Sequence, residues 1–273
     1  MIVNTMSTDQ IIEEGSRIRY DLFSKLCQVQ EGHPGSILSI FDITNALYLS
    51  GAIFLEKGAP NNDTFIMSKG HAAAVQYPFL VRKEIIEKKD WENWGKGDSI
   101  LRVFGNTQIP GIDVTSGSLG HGIGIATGIA LANRANNIKA KVYVVISEGE
   151  LYEGSTWEAL LFLAHQRLAE VKIIVDVNRN MILGRPDDLL NLEPMEDKFS
   201  AFNFECVRIA GHDYEAILGG IDFLLNSVET PPVLIADTVK GKGVSFMEDT
   251  AQSHYWGQLS EDEMQKMLED LAP

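Results

Sequence analysis

The sequence predicts an α/β fold in which a doubly wound, mainly parallel sheet is flanked by helices. The runs 141–147 and 171–177 are apolar throughout, which is typical of parallel strands covered on both faces. A helical stretch, 148–168, lies between them, so the three segments form one β-α-β unit. The same alternation returns between 204 and 239. With 45% hydrophobic residues, the chain is expected to form a single domain, 1–273.

The part of the chain before this unit is predicted to be mainly helical. Apolar residues at helical spacing predict a helix over 8–28, with Ser7 and Gln10 as its capping box. Glycine and proline make 31–36 a loop, and a second apolar helix is expected over 39–49.

A glycine- and serine-rich loop occupies the start of 113–135 and continues as an alanine-rich helix whose small residues suit close packing. The other predicted elements are strands over 204–210 and 231–239 and helices over 213–227, N-capped by Asp213, and 260–271, with a capping box from Ser260 to Glu263.

Composition argues against several classes of protein. A net charge of −15 would repel a phosphate backbone, so nucleic acid is not an expected partner. No apolar run is long enough for a membrane span, and the N-terminus lacks the pattern of a secretory signal. Cys27 and Cys206 form no CxxC pair, which argues against disulfides and structural zinc and favours a cytoplasmic location.

Polar residues follow both strands of the β-α-β unit. Glu148 comes directly after 141–147, and Asn178 directly after 171–177. The carboxyl ends of parallel strands share one edge of a sheet, where ligands bind. Carboxylate and amide oxygens suit Mg²⁺ or Ca²⁺, and a helix beginning after Gly149 would direct its N–H groups to the same place. The sequence therefore predicts a site for a diphosphate and its metal.

Six segments, taken in order, resemble the motifs of transketolases. SEGELYEG and DVNRNMILG resemble the thiamine diphosphate motif, normally Gly-Asp-Gly followed by an asparagine. The family's spacing between the two parts is similar to that between Glu148 and Asn178 here. The other four are EGHPGS (31–36), MSKGHAA (67–73), PGIDVTSGSLGHGIGIATGIALA (110–132) and ADTVKGKGVSFMED (236–249). The resemblance covers nearly the whole chain and implies the thiamine-diphosphate-binding fold, specifically its diphosphate-binding domain.

The resemblance also implies roles for individual residues. The metal ligands would be Glu148, Asn178 and the backbone carbonyl of Asn180. Substrate contact and proton transfer would fall to histidines, namely His33, His71, His121 and His254. The residues in contact with thiamine diphosphate would be His71, Gly117, Leu119, Glu148, Gly149, Glu150, Asn178 and His254.

The sequence departs from the family pattern at three positions. Glu148 stands where the family has aspartate, which leaves Ca²⁺ or Mn²⁺ open beside Mg²⁺. Asn106 takes the place of a histidine that contacts the substrate, and an amide cannot transfer protons at neutral pH. His121 stands where many members have glutamine.

Simpler interpretations exist for several of these residues. Glu148 could be an acid stabilised by a helix dipole, and His254 a solvated surface residue. The KGKG segment, 240–243, could be a solvated turn or lie beside the cofactor. His165 and His212 are expected to be structural, His212 by capping or packing.

The glutamate that activates thiamine in this family belongs to a pyrimidine-binding domain that these 273 residues do not include. The resemblance thus implies a partner chain with that domain, assembled as two copies of each chain (α2β2). The first functional expectation is ketol transfer between sugar phosphates of the pentose phosphate pathway. Two alternatives stay open: a related enzyme for a modified sugar or 2-oxo acid, and a non-catalytic scaffold or regulatory subunit.

Overall fold

The computed structural model describes residues 6–181, 184–248, 250 and 259–273. In these residues five strands form one sheet in the order β1-β2-β3-β5-β4, and every neighbouring pair is parallel. The α/β fold with a parallel sheet is therefore confirmed. The strands are β1 Thr64–Met67, β2 Val142–Ser147, β3 Val171–Val177, β4 Glu205–Ala210 and β5 Pro232–Asp237.

Helices cover both faces of the sheet. The capping boxes at Ser7 and Ser260 and the N-cap at Asp213 are present as predicted. In the described ranges, no helix is both long enough and apolar enough to cross a membrane. The helices are α1 Thr8–Val29, α2 Pro34–Leu49, α3 Tyr77–Arg82, α4 Lys88–Asn93, α5 Gly122–Ala135, α6 Gly154–His165, α7 Pro186–Leu189, α8 Met195–Ala201, α9 Tyr214–Asn226 and α10 Glu261–Asp270, with 3₁₀ turns at Gly70–Gln76 and Glu148–Tyr152.

The alternation of side chains along the strands divides the core into two layers. In β2, Tyr143 and Val145 pack with the buried residues of α1, α2 and α9. Val142, Val144 and Ile146 point to the other face and pack with α5, α6 and α8. Both layers are fully buried, which explains why the central strands are apolar without interruption.

The structure corrects three of the predicted elements. Helix α2 begins at Pro34, inside the segment predicted as a loop, because proline is well suited to the first position of a helix. The helix expected directly after Gly149 is a 3₁₀ turn, and α6 begins only at Gly154. Strand β1, four buried residues at the edge of the sheet, was not predicted.

Candidate functional site

A cavity of about 370 Å³ lies at the carboxyl edge of the sheet. Ser147 at the end of β2 pairs with Asp176 near the end of β3, so the residues that follow the two strands lie side by side. Most of the residues predicted for the site line this cavity: His33, His71, Gly117, Leu119, Glu148, Gly149, Asn178 and Asn180. The chain topology thus brings together segments that are far apart in sequence.

Glu148 presents a buried carboxylate to the cavity. The residue is 3% exposed, and its Oε1 atom has no hydrogen-bond partner. Burial, and then the nearby charge of Asp176, raise the pKa of Glu148 to about 7, although backbone N–H groups of Arg179 and Asn180 act in the opposite direction. A buried carboxylate oxygen without a partner is costly, and a cation in the cavity would satisfy it. The geometry therefore fits a metal ligand better than a solvated helix-terminal acid.

Asn178 is oriented by its amide nitrogen. Its Nδ2 group donates to Asp176 Oδ2 at 3.3 Å and to Ser39 Oγ at 3.4 Å. Its Oδ1 atom accepts from the backbone N–H of Asn180 at 3.2 Å. These bonds fix which end of the amide is the oxygen, so that the acceptor is placed beside the cavity.

The metal site that fits here is one made mainly of neutral oxygens. Among the residues that the structure describes, no three His, Cys, Asp or Glu side chains gather around a point suitable for a metal. Glu148, the Asn178 amide and the Asn180 carbonyl would supply three oxygens, and a diphosphate would supply others. The Asn180 carbonyl accepts a hydrogen bond from Lys240 Nζ at 3.3 Å, which leaves its second lone pair available.

A buried ion pair lies beneath the loop that carries Asn178 and Asn180. Lys69 Nζ contacts Asp176 Oδ2, and both side chains are 0% exposed. Burial alone would raise the pKa of Asp176, but Lys69 and hydrogen bonds from Thr238 and Ser39 hold it below its usual range. The sequence did not predict this pair. Through it, the loop 67–73 contacts the end of β3 and the start of α2.

Lys240 contributes a cation to the cavity wall. The residue is 2% exposed. Burial and the neighbouring Lys69 lower its pKa to about 8, while Asp176 and Glu148 oppose the shift. At neutral pH the side chain is still largely protonated, so it offers positive charge to a diphosphate. The burial of Lys240 in this wall does not fit a solvated turn at that residue.

Two histidines contact each other edge to face in the cavity wall. The ring centroids of His33 and His71 are 5.1 Å apart, and the ring of Phe104 lies 6.2 Å from that of His33. Burial, together with the charges of Lys240 and Lys69, lowers the pKa of His33. His33 is therefore a neutral imidazole at pH 7, able to accept a proton or to hydrogen-bond a hydroxyl.

A second cavity, of about 610 Å³, adjoins the first and shares His33 and Phe104 with it. Asn106 lies in its wall, as does Arg102. The Oδ1 atom of Asn106 accepts from the backbone N–H of Gln108 at 3.0 Å, so the carboxamide is held with its NH₂ group as the remaining donor. This cavity has the position expected for the substrate next to the cofactor.

Two predicted site residues that the structure describes, Glu150 and His121, line neither cavity, and a third, His254, cannot be placed. The Glu150 carboxylate accepts hydrogen bonds from Ser68 Oγ and from the N–H groups of Gly120 and Ser147, so it holds loops together behind the cavity. His121 is exposed and precedes α5. His254 lies outside the described residues.

Glycines allow two loops to touch beside the first cavity, the one lined by Glu148 and Asn178, which is called the cofactor cavity from here on. Gly117 has a φ of +137°, which is unfavourable for a residue with a side chain. A Cβ atom on Gly70 would lie 2.5 Å from the backbone nitrogen of Gly117. The loops 67–73 and 110–120 can therefore meet only because both positions are glycine.

Of the other two histidines, His212 makes structural hydrogen bonds. His212 Nδ1 lies 2.8 Å from Asp42 Oδ2, and its Nε2 accepts from the backbone N–H of Val239. His165 is exposed at the end of α6. Neither one lines the cofactor cavity.

Comparison with known proteins places these features in a family. The model of the family "Transketolase, thiamine diphosphate binding domain" matches residues 12–272. One subunit of the apulose-4-phosphate transketolase of Phocaeicola vulgatus is 31% identical, over 92% of this chain and 90% of its own. The 6-deoxy-6-sulfo-D-fructose transketolase subunit SqwG of a Clostridium species is 33% identical, over 91% of this chain and 92% of its own.

The solved transketolase of Campylobacter jejuni superimposes with a TM-score of 0.87 at 28% identity, covering 96% of this chain and 43% of that one. The chain thus spans less than half of that enzyme. The family match over nearly every residue, the shared fold and the residues gathered at the carboxyl edge agree with one another. The chain belongs to the transketolase family of transferases and contains its thiamine diphosphate binding domain.

Proposed function

We propose that the chain is the diphosphate-binding subunit of a thiamine-diphosphate-dependent transketolase that moves a two-carbon ketol unit between sugar phosphates. The observation that carries this proposal is the cofactor cavity, in which a carboxylate oxygen without a partner, an oriented amide, a cation and two histidines converge. All of them lie at the carboxyl edge of a parallel sheet, the usual place for a ligand in this class of fold.

Each of these residues has a role that follows from its placement. When bound, thiamine diphosphate supplies a carbanion that attacks the donor carbonyl and carries the transferred carbons. Glu148, Asn178 and the Asn180 carbonyl would hold the metal, with Mg²⁺ as the proposed ion. Lys240, His71 and the Gly149 backbone would contact the diphosphate. Neutral His33, at the junction of the two cavities, would hydrogen-bond substrate hydroxyls or accept a proton at a ring nitrogen.

The names of the relatives favour a modified sugar over the pentose phosphates as substrate. Two of them are named for apulose 4-phosphate and 6-deoxy-6-sulfo-D-fructose. In this chain the substrate cavity carries Asn106, whose fixed NH₂ group donates without transferring protons. We therefore infer a specialised transketolase, and a screen of the reconstituted enzyme against modified and unmodified ketose phosphates would identify the donor.

Asn178→Ala is expected to weaken binding of thiamine diphosphate and Mg²⁺ at least about tenfold while leaving the fold intact. The change removes one oxygen from the proposed metal site, at a strand end that carries little of the core. Calorimetric titration of the chain together with its partner would measure the effect. Asn226→Ala, an asparagine at the end of α9, far from the cofactor cavity, is the matched control and should bind as the wild type does.

Equal affinity in the Asn178→Ala variant and the wild type would remove this residue from the metal site. No binding by the wild-type pair would instead favour the alternative of a scaffold or regulatory subunit. The two results are distinguishable because the first requires measurable binding.

We further propose that the active form contains two copies of this chain and two of a partner with the pyrimidine-binding domain, in the cytoplasm. Both relatives named above are subunits of transketolases. A face of α5 and α6 offers apolar surface for assembly: Ile125 is 39% exposed, Leu161 61% and Phe162 47%. A Cβ atom added to Gly128 of α5 would meet no other atom within 4 Å, so the missing side chain serves no packing within the described chain.

Leu161→Glu is expected to weaken the assembly at least about tenfold, because it places a carboxylate on an apolar interface. The residue is largely exposed in the chain, so folding should be unaffected. Light scattering of the reconstituted pair would show a shift to smaller species, whereas Val228→Glu, also exposed but in the segment that follows α9, should leave the assembly unchanged. A fully active one-to-one pair would contradict the proposed stoichiometry.

A further inference from the structure

A third cavity, with polar walls, lies at the opposite edge of the sheet, where β2 and β3 begin. Its volume is about 690 Å³. The segment between α5 and β2, the start of β3 and the end of α9 form its walls. Its charged lining residues are four cations and one carboxylate: Arg134, Lys139, Lys141, Lys172 and Glu170. The chain as a whole carries a charge of −15, so this concentration of positive charge is a local exception.

Lys172 is the buried cation of this cavity. The residue is 3% exposed, and its Nζ atom donates to the Ser227 carbonyl at 2.8 Å. An ammonium group has three N–H donors, and within the described chain this carbonyl is its one hydrogen-bond acceptor. Burial and then Lys141 lower the pKa of Lys172 to about 8, while Glu170 and Glu205 oppose the shift. The group is still largely protonated at pH 7, with donors to spare at the cavity wall.

The remaining cations differ in how far they are neutralised. Arg134 is saturated, because it binds both oxygens of Glu170 and two backbone carbonyls. Lys141 pairs with Asp63 at 2.9 Å. Exposed Lys139, like Lys172, has no ion pair with any residue that the structure describes. Lys172 and Lys139 are thus two cations without an ion pair in the described chain, although the carboxylates of Glu170 and Glu205 act on Lys172 from a distance. Together the two cations suit the charge of a phosphate monoester at neutral pH.

We propose that this cavity binds a small phosphorylated molecule, with the phosphate on Lys172 and Lys139 and the organic part against the apolar wall. Ile138, Leu225 and Val228 form that wall. The volume lies in the range of sites for small molecules. The six- and seven-residue strands β2 and β3 separate it from the cofactor cavity by about 20 Å, so the two sites are distinct.

Calorimetric titration of the purified chain with phenyl phosphate tests the proposal. Lys172→Met should weaken binding at least tenfold, because the methionine keeps the packing and removes the charge. Val228→Glu, at a position that is 76% exposed, should weaken binding similarly through repulsion without disturbing the fold. Lys240→Met, in the cofactor cavity, should leave this binding unchanged.

Inorganic phosphate is the second probe. Weaker binding of phosphate than of phenyl phosphate supports an organic ligand held by the apolar wall, whereas equal binding supports free phosphate as the ligand of the same cations. Binding that is lost in Lys240→Met and kept in Lys172→Met and Val228→Glu would overturn the proposal, because the anion would then occupy the cofactor cavity. Absence of binding by either probe to the wild type would overturn it as well.

Discussion

Replacing Lys69 by methionine is expected to lower the free energy of unfolding by about 3–5 kcal/mol, the usual result of breaking one side of a buried ion pair. Lys69 and Asp176 are both fully buried. The Lys69 ammonium also donates to the Ser36 carbonyl at 3.0 Å and to Ser39 Oγ at 3.1 Å. Without it, Asp176 would remain as a buried carboxylate without an ion pair, compensated by hydrogen bonds and by the more distant charge of Lys240.

Urea denaturation of the wild type and the variant would measure this loss. Lys88→Met is the matched control, since the Lys88–Glu92 pair is exposed and its removal should change stability by less than about 0.5 kcal/mol. The double variant Lys69→Met with Asp176→Leu should regain part of the stability, because no unpaired charge is left. A loss below about 1 kcal/mol in the single variant would mean that water or a rearrangement compensates the carboxylate.

The Lys69–Asp176 pair could not be predicted from the sequence. A lysine in a loop is ordinarily exposed, and nothing in the local sequence MSKGHAA indicates that its ammonium reaches a carboxylate more than a hundred residues away. Lys240 was ambiguous for the same reason. Burial of charge is a property of the assembled fold, so it can be read only after the segments have been brought together.

The fold could be predicted more fully than the site, because it follows from patterns within short segments of the sequence. Two uninterrupted apolar runs with a helix between them allow few arrangements other than a parallel sheet covered on both faces. Strand β1 was missed because four residues between polar loops give no periodicity. The start of α2 was missed because glycine and proline in 31–36 indicate a loop, whereas Pro34 occupies the first turn of the helix.

The candidate site was partly predictable for a related reason. Glu148 and Asn178 follow directly after strands, so the topology alone places them at one edge. Glu150 is only two residues further on, yet its carboxylate turns to Ser68 and Gly120. Spacing along the chain locates a loop at the site, but it does not say which side chains of that loop point into the cavity.

Glu148→Gln is expected to stabilise the metal-free chain at pH 8 by up to about 3 kcal/mol and to weaken binding of thiamine diphosphate and Mg²⁺ more than about 100-fold. The folded pKa of Glu148 is about 7, above the ordinary value of 4.5. A raised pKa means that the folded state binds the proton more tightly than the unfolded state does. Stability therefore falls as pH rises from about 4.5 to 7, and the full cost of the buried charge is present at pH 8.

Neutral glutamine removes that cost, so the gain over the wild type should be present at pH 8 and should vanish near pH 5, where Glu148 is itself protonated. Urea denaturation in the presence of a chelator at both pH values measures it. Glu150→Gln is the matched control: burial raises the pKa of this carboxyl too, but three donors bind its two oxygens. The NH₂ group of a glutamine would face one of these donors in place of an oxygen, so this change should destabilise the chain at pH 8.

The two readouts of Glu148→Gln together distinguish a functional acid from a structural one. Replacing a structural acid would lower the stability of the chain, as is expected for Glu150. A carboxylate that serves as a metal ligand carries an unfavourable buried charge until the cation binds. Replacing it should therefore stabilise the metal-free chain and weaken its binding of cofactor and metal. Loss of stability in Glu148→Gln at pH 8 would show that the carboxylate is already compensated within the chain. Unchanged affinity for cofactor and metal would remove Glu148 from the metal site.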